Sequence, residues 1–138
     1  MDTGYLLMDI SKKLKYTLNQ ALIEKGITIQ QWAVIQQLSI RNECTAAELS
    51  IILDMDKPTV SGIVKRLELK SLLKKKDNPL DQRSTLLSLT ESGNILLNEC
   101  RSISEKIISN YLVELSSAEH LLLNRLLMKI NKKEVNEG

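Results

Sequence analysis

The residues that could carry catalysis or bind a metal are few in this chain of 138 residues. It contains one histidine, His120, and two cysteines, Cys44 and Cys100. A Ser-His-Asp or Cys-His site would have to be built around that single histidine, and no glycine-flanked nucleophile or phosphate loop accompanies it. Two cysteines are also too few for a disulfide scaffold or a cysteine-based metal cluster. We therefore expect no enzyme activity, no catalytic residues, no metal site and no cofactor.

The basic residues offer a second kind of chemistry, because they are concentrated in one part of the chain. The formal net charge is only +2, yet the 27 residues from Lys57 to Arg83 hold eight basic residues against three acidic ones. This sector therefore carries +5, and the rest of the chain carries −3. Such clustering is typical of a site for a polyanion, although a run of charge is often only a solvated face. Nucleic acid is the partner that this sector favours.

The overall composition predicts one mainly helical domain. Hydrophobic residues make up 43% of the chain and charged residues 26%, which is close to the globular average. Five glycines and two prolines leave few turns. No run approaches the ~20 apolar residues that a membrane span needs, and the first residues lack the basic region of a signal peptide. We expect a cytoplasmic protein that does not enter a membrane.

Apolar spacing and capping signals predict six helices and one hairpin. Thr28 with Gln31 and Thr45 with Glu48 match the capping box, in which a threonine and a glutamine or glutamate satisfy free backbone N–H groups reciprocally. The expected helices lie at about 3–25, 28–40, 45–53, 56–70, 90–111 and 116–131. The hairpin strands are expected at 72–76 and 84–89, and a frayed tail at 132–138.

The third and fourth helices with the turn between them form a helix-turn-helix, and the hairpin that follows makes the unit winged. Along the fourth helix an apolar stripe recurs at i, i+3, i+4 and i+7 and faces inward. The other side presents hydroxyls and long cations, which suit phosphates and base edges. The stripe consists of Val60, Ile63, Val64 and Leu67, and the outward side of Thr59, Ser61, Gly62, Lys65 and Arg66.

Three residues of this winged unit are singled out by their type. Gly62 in a helix interior costs ~1 kcal/mol relative to alanine, which suggests that something approaches its backbone closely, unless the position has simply drifted. Arg83 at the hairpin tip is suited to a narrow minor groove. Asp81, two residues earlier, is placed to orient its guanidinium.

Four runs of residues carry a resemblance that covers nearly the whole chain. They are AELS at 47–50, KPTVSGIVKRLE at 57–68, DQRS at 81–84 and LTESG at 89–93, and together they resemble the MarR family of bacterial winged-helix regulators. The resemblance implies a homodimeric repressor that binds a palindromic operator in double-stranded DNA, with a recognition helix at about 57–70. It also implies a winged helix-turn-helix part at 28–89 and intertwined dimerisation helices at 1–27 and 90–138, within a single domain spanning 1–138. The expected DNA-binding residues are Lys57, Thr59, Ser61, Gly62, Lys65, Arg66, Lys75, Asp81 and Arg83.

The terminal helices support the dimer independently of the resemblance. They carry more leucine and isoleucine than a small winged core can cover, and an exposed apolar stripe is a liability unless a partner buries it. A monomer whose outer helices fold back on themselves is the alternative. A different class of function, a winged-helix module that binds proteins and does not read DNA, also stays open, although the +5 sector disfavours it.

A small-molecule effector is a further partner that the resemblance implies, since relatives often respond to phenolic compounds, oxidants or metals. For a planar ligand the candidates are Tyr16 and Trp32, although Trp32 is also expected to anchor the core. For an oxidant the candidate is Cys44, since only this thiol lies near a helix N-terminus that would lower its pKa. The alternative for both cysteines is a structural role as half-buried small hydrophobic residues. Zinc sensing needs several histidines, so His120 alone excludes it.

Overall fold

The structure is a computed structural model that describes the backbone of residues 1–137 and the side chains of residues 1–132. Helices and strands follow one another in the predicted order. The elements are α1 (Thr3–Glu24), α2 (Ile29–Arg41), α3 (Ala46–Ile52), α4 (Lys57–Leu69), β1 (Leu73–Asp77), β2 (Thr85–Leu89), α5 (Glu91–Tyr111) and α6 (Ser117–Glu137). The α6 backbone is helical to Glu137, where the sequence predicted a frayed tail from residue 132, and the side chains of 133–138 lie outside the described residues.

Local hydrogen bonds explain why the helices begin and end at these positions. Both predicted capping boxes form: the Thr28 hydroxyl accepts from the Gln31 N–H at 3.1 Å, and the Thr45 hydroxyl accepts from the Glu48 N–H at 3.1 Å. Gly26 ends α1 with a φ of +82°, a conformation that glycine adopts without steric cost. The signals that the sequence displays locally are therefore the ones that set the element boundaries.

The chain divides into two compact units, residues 1–104 and 105–138. In the first unit, buried side chains from α2, α3, α4, the hairpin and the first half of α5 form one hydrophobic core. The inward stripe predicted for α4 is fully part of it, since each member is at most 4% exposed. The core thus holds α4 by one side and leaves its other side open.

The hairpin is an antiparallel pair in which Leu73 lies opposite Leu89 and Asp77 lies opposite Thr85. A third short segment joins it through Cys44, whose N–H and carbonyl both bond to the backbone of Leu87, at 3.1 and 2.8 Å. The sheet edge is therefore tied to the residue just before α3. This contact attaches the wing to the helix-turn-helix.

In the second unit, residues 105–111 complete α5 and the rest consists of a turn and α6. The Ser116 hydroxyl accepts from the Glu119 N–H, and the Glu119 carboxylate accepts from the Ser116 N–H at 2.9 Å. Hydrogen bonds to the carboxylate from the backbone N–H of Ser116, and then from its hydroxyl, lower the pKa of Glu119. Within the described part of the chain, no helix combines the length and apolar character needed to cross a membrane.

Candidate DNA interface

The recognition helix predicted at 57–70 is α4, and its start is held by the residues before it. The Asp56 carboxylate accepts from the Thr59 N–H at 2.7 Å, and Pro58 occupies the first turn, where a missing N–H is not needed. Hydrogen bonds from the Thr59 hydroxyl, and then from its backbone N–H, lower the pKa of Asp56, so the cap is charged at neutral pH. The N-terminal end of α4 is thereby fixed for contact with a partner.

The side of α4 opposite the core presents the residue types that sequence analysis singled out. Lys57, Ser61, Lys65 and Arg66 are exposed, whereas Thr59 and Gly62 are half-buried. Hydroxyls and long cations on one open helix face can reach phosphate oxygens and base edges in a major groove. The structure thus brings six of the nine candidate DNA-binding residues together on one helix.

Gly62 lies on this face, and the packing inside the protein does not require a glycine there. A Cβ atom built there would have Arg66 Nη1, at 3.9 Å, as its nearest neighbour, which is ordinary van der Waals contact. Gly93 is the opposite case, because a Cβ there would lie 2.1 Å from the carbonyl oxygen of Leu72. Intramolecular packing therefore explains the glycine at 93 and leaves the one at 62 unexplained.

The lysines of β1 are partly neutralised by acidic residues of neighbouring elements. Lys75 forms an ion pair with Glu68 of α4 at 3.5 Å, and Lys76 forms one with Glu43 at 2.6 Å. All four side chains are more than 40% exposed, so each pair contributes little to stability. The Lys75–Glu68 pair nonetheless joins the wing to α4. Sequence reasoning missed this link because the two residues belong to different elements.

The wing tip holds the last two candidate residues in a local hydrogen-bonded turn. The Asp81 carboxylate accepts from the Arg83 backbone N–H at 3.0 Å and from Arg83 Nε at 3.4 Å. Asn78 donates to the Ser84 hydroxyl at 3.0 Å, and this bond closes the base of the tip. The Arg83 side chain itself is 92% exposed. The turn is thus ordered while the guanidinium remains available to an outside partner.

A helix-turn-helix followed by a β-hairpin is an arrangement shared with known proteins. A family model described as "MarR family" matches residues 25–84, which run from the end of α1 to the wing tip. The chain is 27% identical over 135 residues to the HTH-type transcriptional repressor NicR of Pseudomonas putida, across 98% of this chain and 85% of that protein. The chain is thus similar to regulators of the MarR family.

Two solved structures resemble this chain over nearly its whole length. One is a cysteine-to-serine mutant of MarR from E. coli complexed with operator DNA, with a TM-score of 0.79 and 26% identity, covering 92% of this chain and 91% of that one. The other concerns the regulation of DNA binding of Bordetella bronchiseptica BpsR by 6-hydroxynicotinic acid, with a TM-score of 0.78 and 26% identity, covering 93% and 97%. These likenesses show that the chain is a DNA-binding transcriptional regulator with the winged-helix fold.

The candidate effector-binding residues differ in their exposure to solvent. Trp32 is 3% exposed and belongs to the core, as one of its two interpretations predicted, whereas Tyr16 on α1 is 69% exposed. Neither lines a cleft of about 410 Å³ between the α1–α2 junction, the end of α4 and the start of α5. Sequence reasoning missed this cleft, because its lining comes from distant parts of the chain: Lys25, Ile27, Lys70, Leu72, Leu96 and Glu99.

The thiol of Cys44 is not in the electrostatic environment that sequence analysis expected. Its pKa is raised, first because the side chain is buried and then because Glu48 lies nearby, while Arg41 opposes these effects only in part. The expected lowering by a helix N-terminus is therefore wrong, since burial outweighs it. Burial also raises the pKa of Cys100, with a further contribution from Glu99. Both thiols are protonated at neutral pH.

Proposed function

We propose that the chain is a homodimeric repressor that recognises a palindromic operator through α4 and the wing. The observation that carries this proposal is the two-sided character of α4. Its apolar stripe is at most 4% exposed, and its hydroxyl and basic side is open to solvent. The exposed Arg83 on the ordered wing tip adds a second contact, of the kind that suits a minor groove. The operator complex of the E. coli relative supports the same use of this fold.

The proposed division of labour within the chain follows from where apolar side chains are left exposed. Residues 28–89 read DNA, and residues 1–27 and 90–138 hold two copies together. On α6 a series of large hydrophobic side chains is between 41% and 72% exposed, and α1 carries a similar series. Contiguous exposed apolar surface of this kind marks an association site. The series are Leu121, Leu122, Leu126, Leu127, Met128 and Ile130 on α6, and Tyr5, Leu6, Leu7, Met8 and Ile10 on α1.

A twofold dimer places two recognition helices on one face of the duplex. The two half-sites of the operator are then separated by one turn of the DNA helix or a multiple of it, so the operator has the same twofold symmetry as the protein. An effector lowers operator affinity by stabilising a different separation of the two helices. The effect of 6-hydroxynicotinic acid on the DNA binding of BpsR supports a small molecule in this role. A DNA target also supports a cytoplasmic location.

Selection of bound fragments from a random duplex pool tests the proposal in one step. The purified protein is incubated with the pool at physiological salt in excess non-specific competitor, and the retained fragments are sequenced. We expect a common palindrome, with affinity at least ~1,000-fold above that for non-specific duplex. Recovery of no common sequence would contradict DNA reading and would favour a module that binds proteins. Analytical ultracentrifugation at micromolar concentration tests the dimer.

A further inference from the structure

One side chain joins the end of α4 to a distant part of the first unit. Lys70 caps the C-terminal end of α4, and its Nζ donates to the carbonyl oxygen of Gly26 and, at 3.3 Å, to Oε1 of Gln31. These acceptors lie 44 and 39 residues away along the chain. Gly26 ends α1 and Gln31 lies in the first turn of α2. The lysine therefore connects three helices at one point.

Both acceptors belong to a junction that is itself well ordered. Gln31 is 4% exposed, and its Oε1 also accepts from the Thr28 N–H at 3.2 Å within the capping box. The Asn19 side chain accepts from the Ile29 N–H at 3.3 Å and so ties the body of α1 to the start of α2. Hydrogen bonds from a charged donor are stronger than neutral ones, and most of all where the acceptor is shielded from water. Lys70 is thus anchored to a rigid point.

Lys70 is exposed, as Lys65 and Arg66 of the same helix are, but it differs from them in its partners. Its ammonium is engaged by two oxygens of the protein, whereas Lys65 and Arg66, one turn earlier, extend from the exposed side of α4. The opposite end of α4 is held by Asp56 through its bond to Thr59. With both ends fixed, the angle at which Lys65 and Arg66 are presented is also fixed.

We propose that Lys70 is a positioning residue for DNA recognition, which holds the C-terminal end of α4 against the α1–α2 junction through Gly26 and Gln31. The inference rests on the proposed function. Because α1 belongs to the proposed dimerisation segments, this contact connects the helix that reads a half-site with a helix that holds the second copy. Lys70 thereby sets the separation between the two recognition helices, and its removal relaxes that separation without removing a phosphate contact.

The test uses the palindrome recovered by selection and two versions of it with the half-sites moved one base pair closer or further apart. One base pair changes the half-site separation by about 3.4 Å and its rotation by about 34°, so the wild type loses roughly tenfold or more on either altered duplex. We expect Lys70→Met to bind the palindrome roughly tenfold more weakly and to lose only about two- to threefold between spacings. Lys70→Arg, which retains charge and reach, restores most of the spacing preference.

Salt dependence and two control variants separate positioning from phosphate binding. A lysine on a phosphate contributes about one unit to the slope of log affinity against log salt, so Lys65→Met lowers the slope by about one and keeps the spacing preference. We expect Lys70→Met to keep the wild-type slope. Lys74→Met is the second control, and it also keeps the slope if the exposed Lys74 does not contact the DNA. In the free protein, Lys70→Met also speeds amide exchange in the last turn of α4 by about tenfold, since a charge-assisted bond is lost.

The outcomes distinguish a positioning role of Lys70 from a phosphate contact. A slope lowered by one in Lys70→Met would show a phosphate contact and overturn the inference, and so would an unchanged spacing preference with unchanged exchange. If the wild type binds a palindrome but Lys70→Met behaves as the wild type does, the inference alone fails. If the wild type selects no palindrome, the proposed function fails, while faster exchange in α4 of the variant still reports whether Lys70 holds the helix.

Discussion

The Asp81 carboxylate accepts two hydrogen bonds from Arg83, one from its backbone N–H at 3.0 Å and one from Nε at 3.4 Å. The first bond shapes the turn, and the second restrains the direction of a side chain that is otherwise 92% exposed. A restrained side chain loses less conformational entropy on binding than a free one does. The pair is therefore suited to presenting the guanidinium to DNA.

We expect Arg83→Ala to weaken operator binding about 10- to 100-fold, since a well-placed arginine contributes roughly 1–3 kcal/mol to DNA recognition. Asp81→Ala should weaken it about three- to fivefold by releasing the guanidinium. Because the aspartate acts through the arginine, the double variant should match Arg83→Ala alone. Fluorescence anisotropy on the selected palindrome measures all three. Tighter binding by Asp81→Ala would show that its charge repels phosphate and does not orient Arg83.

Gly62→Ala should have opposite effects on stability and on DNA binding. A Cβ at this position meets nothing closer than Arg66 Nη1 at 3.9 Å, and alanine favours a helix interior by about 1 kcal/mol. The melting temperature of the free protein should therefore rise. Operator affinity should fall if the glycine serves a close approach of the helix to DNA. Unchanged affinity in a titration would assign Gly62 to neutral drift.

Gly93→Ala should destabilise the protein by roughly 2–3 kcal/mol, as is usual when an atom is forced into packed structure. The added Cβ would lie 2.1 Å from the carbonyl oxygen of Leu72, which already accepts from the Thr90 N–H. Backbone cannot rotate away as a side chain can, so the junction between hairpin and α5 has to shift. Urea denaturation measures the loss, with Gly62→Ala as the matched substitution. A loss below about 0.5 kcal/mol would argue against this packing.

Lys75→Ala should reduce operator affinity modestly and lower the salt slope by about one, if Lys75 moves from Glu68 to a phosphate on binding. Glu68→Gln should then raise affinity a few-fold at low salt, since the lysine no longer leaves a carboxylate. Glu114→Gln changes the net charge equally at a site outside the basic sector and serves as the control. An equal gain in operator affinity in both glutamine variants would show that the change in net charge alone accounts for it.

Neither cysteine should behave as an oxidant sensor at neutral pH. Burial raises the pKa of Cys44 and Cys100, and the thiolate is the reactive form. Alkylation by iodoacetamide at pH 7 should therefore be much slower in the native protein than in urea. Above the ordinary thiol pKa of 9.0 the unfolded chain loses thiol protons that the native state retains. The thiols therefore lower the free energy of unfolding as the pH rises above that value. Rapid native alkylation of Cys44 would revive a redox role.

The order of elements and their boundaries follow from signals that act over a few residues. Thr28 caps α2 through Gln31, and Asp56 caps α4 through Thr59, three residues away in each case. The inward stripe of α4 follows from helix periodicity alone. The Asp81–Arg83 contact spans two residues and was equally accessible to sequence reasoning. Each of these features depends on residues whose separation in space is set by local geometry.

Features that join distant segments were decided only by the tertiary structure. Cys44 pairs with Leu87 and becomes buried there, which reverses the expected direction of its pKa shift. The exposed Lys70 donates to Gln31 across 39 residues, so a lysine that reads in the sequence as one more cation of the basic sector has a partner on a distant helix. The sequence by itself determined which elements form and which face of α4 is open. Which side chains meet depended on how those elements pack, since burial and partner distance do not exist until the core has assembled.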